Sequence, residues 1–304
     1  MKSTLTVTCP DQRQLAMTQF KPHAPIGSVV IASAFGVAQS FYWPLAEFLC
    51  GQGYTAYCFD YRGTGKNEDM VANGFCLREW ATQDIEAALC NSLETDQPVH
   101  FIGHSVGGQI LGLAPSSKKL TSAIFIAASA PYWKRWPRLA DGLKIRVNAG
   151  FILPLVSKLY ARFPSQKFGL GNQDLPSSAV RQWASWMRKP NYLFDDIFGL
   201  DCSAYKEIDI PILSLAFSDD LLAPLENINH LLGFFETADC TVKQIKPKDI
   251  GAKHIGHTGF FKEKFKDSLW QNTLGFISTN KVHTATPYTK IPSEHKTHNE
   301  EASA

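Results

Sequence analysis

The residues with the clearest chemical capacity are Gly103-His104-Ser105-Val106-Gly107-Gly108. A serine hydroxyl is a weak nucleophile at neutral pH. It needs a base that takes its proton and later returns it to the leaving group. A carboxylate must in turn hold that base in the right tautomer. The spacing Gly-x-Ser-x-Gly puts Ser105 on a sharp strand-to-helix turn that exposes its Oγ, at a strained backbone position. Side chains at Gly103 and Gly107 are expected to collide across that turn. The helix that follows should aim its first N–H groups, led by Val106, at the reacting centre, where acyl transfer develops negative charge on oxygen.

Such a turn needs a strand before it and a helix after it. Val99 to Ile102 (VHFI) reads as the strand and Ser105 to Leu113 as the helix. Around them, Ser28–Ala34 is a short apolar run, as expected of a buried parallel strand, and Tyr54–Phe59, Ala123–Ala128, Pro211–Phe217 and Thr241–Ile245 read as further strands. Helical patterns lie at Ser40–Leu49, Arg78–Leu93, Leu225–Phe235 and Lys262–Ile277. This alternation predicts the α/β class, a mostly parallel sheet with helices on both faces. Thr4–Cys9 and Gln14–Phe20, joined at Pro10-Asp11, read as an added hairpin. The rhythm stops from Pro131 to Leu200, where helical stretches rich in Trp, Phe, Tyr, Lys and Arg show no strand signal. The expected organisation is a core of residues 1–130 and 201–279, a helical cap insertion at 131–200, and a polar, disordered tail at 280–304.

These residues together resemble the α/β-hydrolase family. The likeness is greatest to the branch with a Gly-His-Ser-x-Gly-Gly elbow and a helical cap, which includes predicted hydrolases related to serine aminopeptidases and monoacylglycerol lipases. The resemblance covers roughly residues 25–130 and 205–278. It implies the chain order Ser, Asp, His for the triad. The stretch Ser218-Asp219-Asp220-Leu221-Leu222-Ala223-Pro224 then supplies the acid, Asp220 lying four residues before the proline and Asp219 being its rival. In His254-Ile255-Gly256-His257-Thr258-Gly259-Phe260 the base is His257, with His254 as the alternative. His104 is read as structural. The oxyanion donors implied are the N–H of Val106 and one from Ser33-Ala34-Phe35-Gly36-Val37, placed at Gly36 with Phe35 or Val37 one residue away. Asp60-Tyr61-Arg62-Gly63-Thr64-Gly65 resembles the family's D-x-R-G-x-G loop, which shapes the floor of the site; no Lys-Ser pair follows it, so it is no phosphate cradle. No metal and no organic cofactor are implied.

The expected activity is hydrolysis of an ester, thioester or amide of a small-molecule acyl substrate through an acyl-enzyme. Serine at the elbow argues against dehalogenases and epoxide hydrolases of the same fold, which use aspartate. A non-catalytic scaffold is the competing class, and it would be expected to lack a triad member. Thirty basic side chains against 28 acidic, a net charge of +2, give no electrostatic footprint for nucleic acid or an anionic membrane. Lys134, Arg135, Arg138, Lys144 and Arg146, scattered through the first half of the insertion, are read either as its solvated face or as a basic patch for anionic substrates or a membrane surface. No apolar run is long enough to span a bilayer, and the first residues lack the apolar stretch of a signal peptide. Seven scattered cysteines without a Cys-x-x-Cys pair fit neither a zinc site nor a disulfide framework, and point to a reducing cytoplasm. The sequence carries no signal for a particular oligomeric state. Trp133, Trp136, Trp183 and Trp186 concentrate in the insertion, either as its own core or as the wall of an apolar pocket.

Overall fold

A computed structural model describes residues 1–69 and 75–280. The strands are β1 (Lys2–Thr8), β2 (Gln14–Phe20), β3 (Gly27–Ala32), β4 (Tyr54–Phe59), β5 (Val99–His104), β6 (Ser122–Ile126), β7 (Arg162–Phe163), β8 (Leu175–Pro176), β9 (Pro211–Phe217) and β10 (Asp239–Ile245). Eight of them form one sheet in the order β1-β2-β4-β3-β5-β6-β9-β10. β1 and β2 join as an antiparallel hairpin, and β2 pairs antiparallel with β4; every other pairing in the sheet is parallel. This is the α/β-hydrolase fold. β3, β4, β5 and β6 are buried along their whole length. That explains why they read as continuous apolar runs rather than as alternating patterns.

Parallel strands put their C-terminal ends, and the loops that leave them, on one edge of the sheet. Residues 33–37 follow β3, Ser105 follows β5, Asp220 follows β9, and His257 lies beyond β10. Positions some 220 residues apart in the chain are thereby brought to one rim.

Some elements differ from the expectation. The helix after Ser105 is a single turn, Val106–Gln109. The Gln109 carbonyl accepts the Tyr205 hydroxyl at 2.5 Å, and a Cβ at Gly112 would lie 2.5 Å from the Tyr205 ring, so the chain breaks there to seat that ring. The last helix is also divided, with a wide π segment at Lys266–Trp270 before Gln271–Thr279. Within 131–200 the structure has a strand pair, β7 with β8. At two residues each, one of them proline, they are too short to show a two-residue period. The expected tail lies outside the described residues apart from Asn280. All seven cysteines carry free thiols. No helix among the described residues is long and apolar enough to cross a membrane.

Candidate active site

Ser105 has φ +50° and ψ −114°, a conformation L-residues rarely take. Three contacts hold it there. Its N–H donates to the Ile126 carbonyl of β6 at 2.9 Å, and its own carbonyl accepts from Gly108 and Gln109. The flanking glycines are required, but not for the reason expected. A Cβ at Gly103 would lie 2.5 Å from the Gly108 Cα, and one at Gly107 would lie 2.5 Å from the Ala32 carbonyl oxygen of β3. Each glycine faces a neighbouring backbone rather than the other glycine. Because the helix is one turn long, the donors toward Ser105 are individual N–H groups rather than an extended dipole.

Beyond β9, the Asp220 carboxylate is 1 % exposed and its Oδ2 lies 2.8 Å from His257 Nδ1. Its Oδ1 accepts from the N–H groups of Leu222 at 2.8 Å and Ala223 at 3.3 Å. An ionised carboxylate accepts only, so His257 carries its proton on Nδ1 and leaves Nε2 as the basic nitrogen. Asp219, the rival, points elsewhere. Its carboxylate takes the N–H groups of Ile255 at 2.9 Å and Gly256 at 3.1 Å, and pairs with the exposed His254 at 2.6 Å. Partial burial raises its affinity for a proton, but the two N–H groups outweigh this and hold it below the usual carboxylate range. The two neighbouring aspartates divide the work: Asp220 orients an imidazole, and Asp219 builds the loop that presents it.

The structure also shows a role for His104 that sequence reasoning left as merely structural. The Ala34 N–H donates to the Tyr42 hydroxyl at 2.8 Å, Tyr42 lies 2.8 Å from His104 Nδ1, and His104 Nε2 lies 2.9 Å from the His257 carbonyl. The carbonyl can only accept, so Nε2 carries the proton and Nδ1 accepts from Tyr42. Burial keeps His104 neutral, far below the ordinary histidine range, and pushes the Tyr42 phenol up so that it keeps its proton. One buried chain of hydrogen bonds therefore ties the loop after β3, the residue before Ser105, and His257. An aromatic two turns from the first loop and a histidine inside the elbow were the only sequence signals for it.

The loop after β3 also reaches the site. Gly36 has φ +71°, a Cβ on it would lie 2.0 Å from the Leu170 carbonyl, and its own carbonyl accepts from Asn172 at 2.7 Å. It is pinned against residues 170–173, while its neighbours Ala34, Phe35 and Val37 line the cavity beside Ser105. The Val37 N–H already donates to Ala34 at 3.2 Å. Below, Arg62 of the D-x-R-G-x-G loop is fully buried between Asp84 and Asp11, each at 2.7 Å. The Gly65 position has no room for a Cβ against the Asp60 carboxylate, which itself accepts from Gln39. That loop is built as structure.

Ser105 and His257 open into one cavity of about 280 Å³. Its other walls are Leu222, Thr258, Gln109, Ser129 and, from the 131–200 segment, Trp136, Ile145, Leu170, Trp183 and Met187. The tryptophans of that segment therefore split: Trp136 and Trp183 face the cavity, Trp186 is in the core, and Trp133 packs under Arg146, whose guanidinium carbon is 4.9 Å from the ring. Gln109 was missed by sequence reasoning, although it lies one helical turn after Ser105. Its Oε1 accepts the Tyr192 hydroxyl at 2.7 Å.

Comparison with known proteins places this geometry in context. The model of the alpha/beta hydrolase family matches residues 29–257. A curated relative from Yersinia enterocolitica, named "Putative carbamate hydrolase RutD", is 25% identical over 203 residues, covering 65% of this chain and 72% of the relative. Among solved structures, a thermostable carboxyl esterase from Bacillus coagulans superposes with a TM-score of 0.63 at 15% identity, covering 92% of this chain and 99% of the esterase. An esterase from Exiguobacterium antarcticum superposes with a TM-score of 0.60 at 17% identity, covering 91% and 100%. At these identities the structural likeness speaks to fold.

Proposed function

The chain belongs to the alpha/beta hydrolase family, and from that premise we propose that it is a serine hydrolase acting on esters of apolar acids. The observation that carries the reading is the buried Asp220–His257 pair opening into the same apolar cavity as the strained Ser105. In this reading Ser105 Oγ attacks the acyl carbon as His257 Nε2 takes its proton. Asp220 stabilises the imidazolium that results. The tetrahedral oxygen is held by the N–H of Val106 and by one from the loop after β3. The cavity lining favours Phe35 for that second donor over its neighbour Gly36. His257 then protonates the leaving alcohol, and water repeats the sequence to release the acid.

The 131–200 segment acts as a lid that excludes water and supplies the acyl wall through Trp136, Ile145, Trp183 and Met187. At about 30 Å³ per water-sized group the cavity holds roughly nine such groups, the size of a medium acyl chain or an aryl acid. Thioesters and amides present the same acyl centre. So does a carbamate, the substrate class in the relative's name, but a small polar carbamate would leave this apolar lining unused.

The test is covalent labelling with a fluorophosphonate, read by mass spectrometry, beside Ser105→Ala. One adduct on Ser105, absent from the variant, supports the reading. p-Nitrophenyl esters from acetate to dodecanoate should then give the highest kcat/KM at intermediate length. Folded protein that takes no adduct and hydrolyses none of these esters would sink the proposal and favour a non-catalytic binding protein.

A further inference from the structure

Residues 139–159 form one unbroken helix, Leu139–Val147 and Leu153–Leu159 joined by a π segment at Asn148–Ile152. Its inner face is conventional: Gly142, Ala149, Leu153 and Ser157 are buried, and Ile145 reaches the cavity. Its outer face is not. Leu139, Leu143, Val147, Phe151, Leu155 and Leu159 recur at every fourth residue and all are exposed, Phe151 by 76 % and Leu159 by 70 %. On a regular α-helix a four-residue repeat drifts by about 40° per step. The wider turn of the π segment rotates the stripe back midway, so both halves of the helix present it. A contiguous apolar stripe of this length on a water-exposed helix marks a contact surface.

The charges say what kind. Between Trp133 and Tyr160 there are six basic residues (Lys134, Arg135, Arg138, Lys144, Arg146, Lys158) and one acidic, Asp141, a net of +5 in a chain whose total is +2. The remainder of the chain is therefore net negative, at −3. Lys144, Arg146 and Lys158 sit one position from stripe residues and so flank it. A second copy of the chain docked on this face would set two such basic clusters against each other. Residues 281–304 hold three lysines against three glutamates and no apolar run, so they offer no complement.

We propose that this helix is an interfacial binding surface for an anionic lipid bilayer, lying in the headgroup region with the stripe inserted and the basic residues on lipid phosphates. The helix reaches the cavity through Ile145 on its inner face, so docking would set that side of the site toward the lipid. The proposal does not depend on the ester chemistry, because binding is read without turnover.

The experiment is co-sedimentation of the full-length chain with vesicles of phosphatidylcholine alone and of three parts phosphatidylcholine to one part phosphatidylglycerol. The variants are Phe151→Glu/Leu155→Glu and Lys144→Glu/Arg146→Glu, both at exposed positions outside the cavity and the triad. Wild type should bind the mixed vesicles at least tenfold more tightly than the neutral ones, and lose affinity as salt rises. The apolar-stripe variant should lose at least tenfold, and the charge variant about fivefold for each basic residue removed, with unfolding midpoints unchanged. Wild-type binding to mixed vesicles no tighter than that of the stripe variant overturns the proposal. So does a dimer, seen by analytical ultracentrifugation, that the same substitution dissolves.

Discussion

Tyr42→Phe removes one oxygen and tests whether the buried chain linking three loops holds the site together. Tyr42 is fully buried and its hydroxyl serves two partners, accepting from Ala34 N–H and facing His104 Nδ1, each at 2.8 Å. The ring stays, so its edge-on packing against Phe261 at 4.7 Å is kept and no large cavity opens. What changes is that a buried N–H and a buried imidazole nitrogen lose their partners together. An orphaned buried polar group costs about 1–3 kcal/mol, and the space left by a hydroxyl is too small to admit a water in its place. Two such groups give a loss of roughly 3 kcal/mol. With an unfolding entropy near 2.1 cal/mol/K per residue, a chain of this length has about 0.6 kcal/mol/K at its midpoint, so the melting temperature should fall by about 5 °C.

The same bond chain fixes the loop bearing Phe35 and the carbonyl of His257, so the loss should reach catalysis as well. Loosening two reacting groups at once should lower kcat by about ten- to a hundredfold, with a smaller change in KM. Circular dichroism melts and steady-state hydrolysis of a p-nitrophenyl ester read the two quantities separately. A midpoint within about a degree of wild type, with kcat unchanged, would refute the reasoning that this hydroxyl couples the loops.

Asp220→Asn should reduce kcat by roughly 10³–10⁴-fold by favouring the wrong tautomer of His257. Asp219→Asn, which keeps an acceptor for Ile255 and Gly256, should cost less than about tenfold; equal losses from the two would reverse their assignment. Gly107→Ala would drive a Cβ to 2.5 Å from the Ala32 carbonyl, so its stability should drop by about 3 kcal/mol or more, read as a lower urea midpoint. His100 is buried and held down to about 4 by that burial, whereas in the unfolded chain it titrates near 6.5. Its folded value is depressed, so the unfolded state alone takes up the proton between about pH 6.5 and 4, and stability falls as pH falls through that window. The slope is about 1.4 kcal/mol per pH unit, or roughly 2 kcal/mol by pH 5. The stability difference between wild type and His100→Asn, measured in urea across that range, isolates this contribution; a difference independent of pH would refute it.

How much of this was legible in the sequence depends on whether the signal was local. The strand runs and the Gly-x-Ser-x-Gly turn are local patterns, and the fold followed from them: Pro211–Phe217 and Tyr54–Phe59 carry their predicted limits. The expected triad candidates rested on loop residues that can be read only by resemblance, and the structure brings Asp220 and His257 to 2.8 Å. Illegible were the pairings that tertiary packing alone decides. Nothing near Tyr205 announces that it ends the helix after Ser105, and nothing near Leu170 announces that it pins Gly36. The collision that requires Gly107 is with β3, a strand 75 residues earlier in the chain.

The exposed stripe on residues 139–159 makes the same point from the opposite side. Its four-residue spacing is fully local and was present in the sequence, yet periodicity alone says only that a helix has an apolar face. A helix with two apolar faces has more of them than burial can use, and only the fold shows which was spent. Here the core took the side bearing Gly142, Ala149 and Leu153, where small residues let the helix approach closely, while six larger residues stayed in water. Burying a Leu or Phe side chain is worth about 1.5–3 kcal/mol, so leaving six outside forgoes a gain comparable to a whole domain's net stability. Folding alone gives no reason to keep such residues at every fourth position beside Lys144, Arg146 and Lys158. A surface that the helix meets after folding does. If that surface is a bilayer, replacing Leu143 and Leu159 with Gln should leave the unfolding midpoint where it is and weaken vesicle binding about tenfold; a fall in the midpoint with binding unchanged would mean that the stripe serves the fold after all.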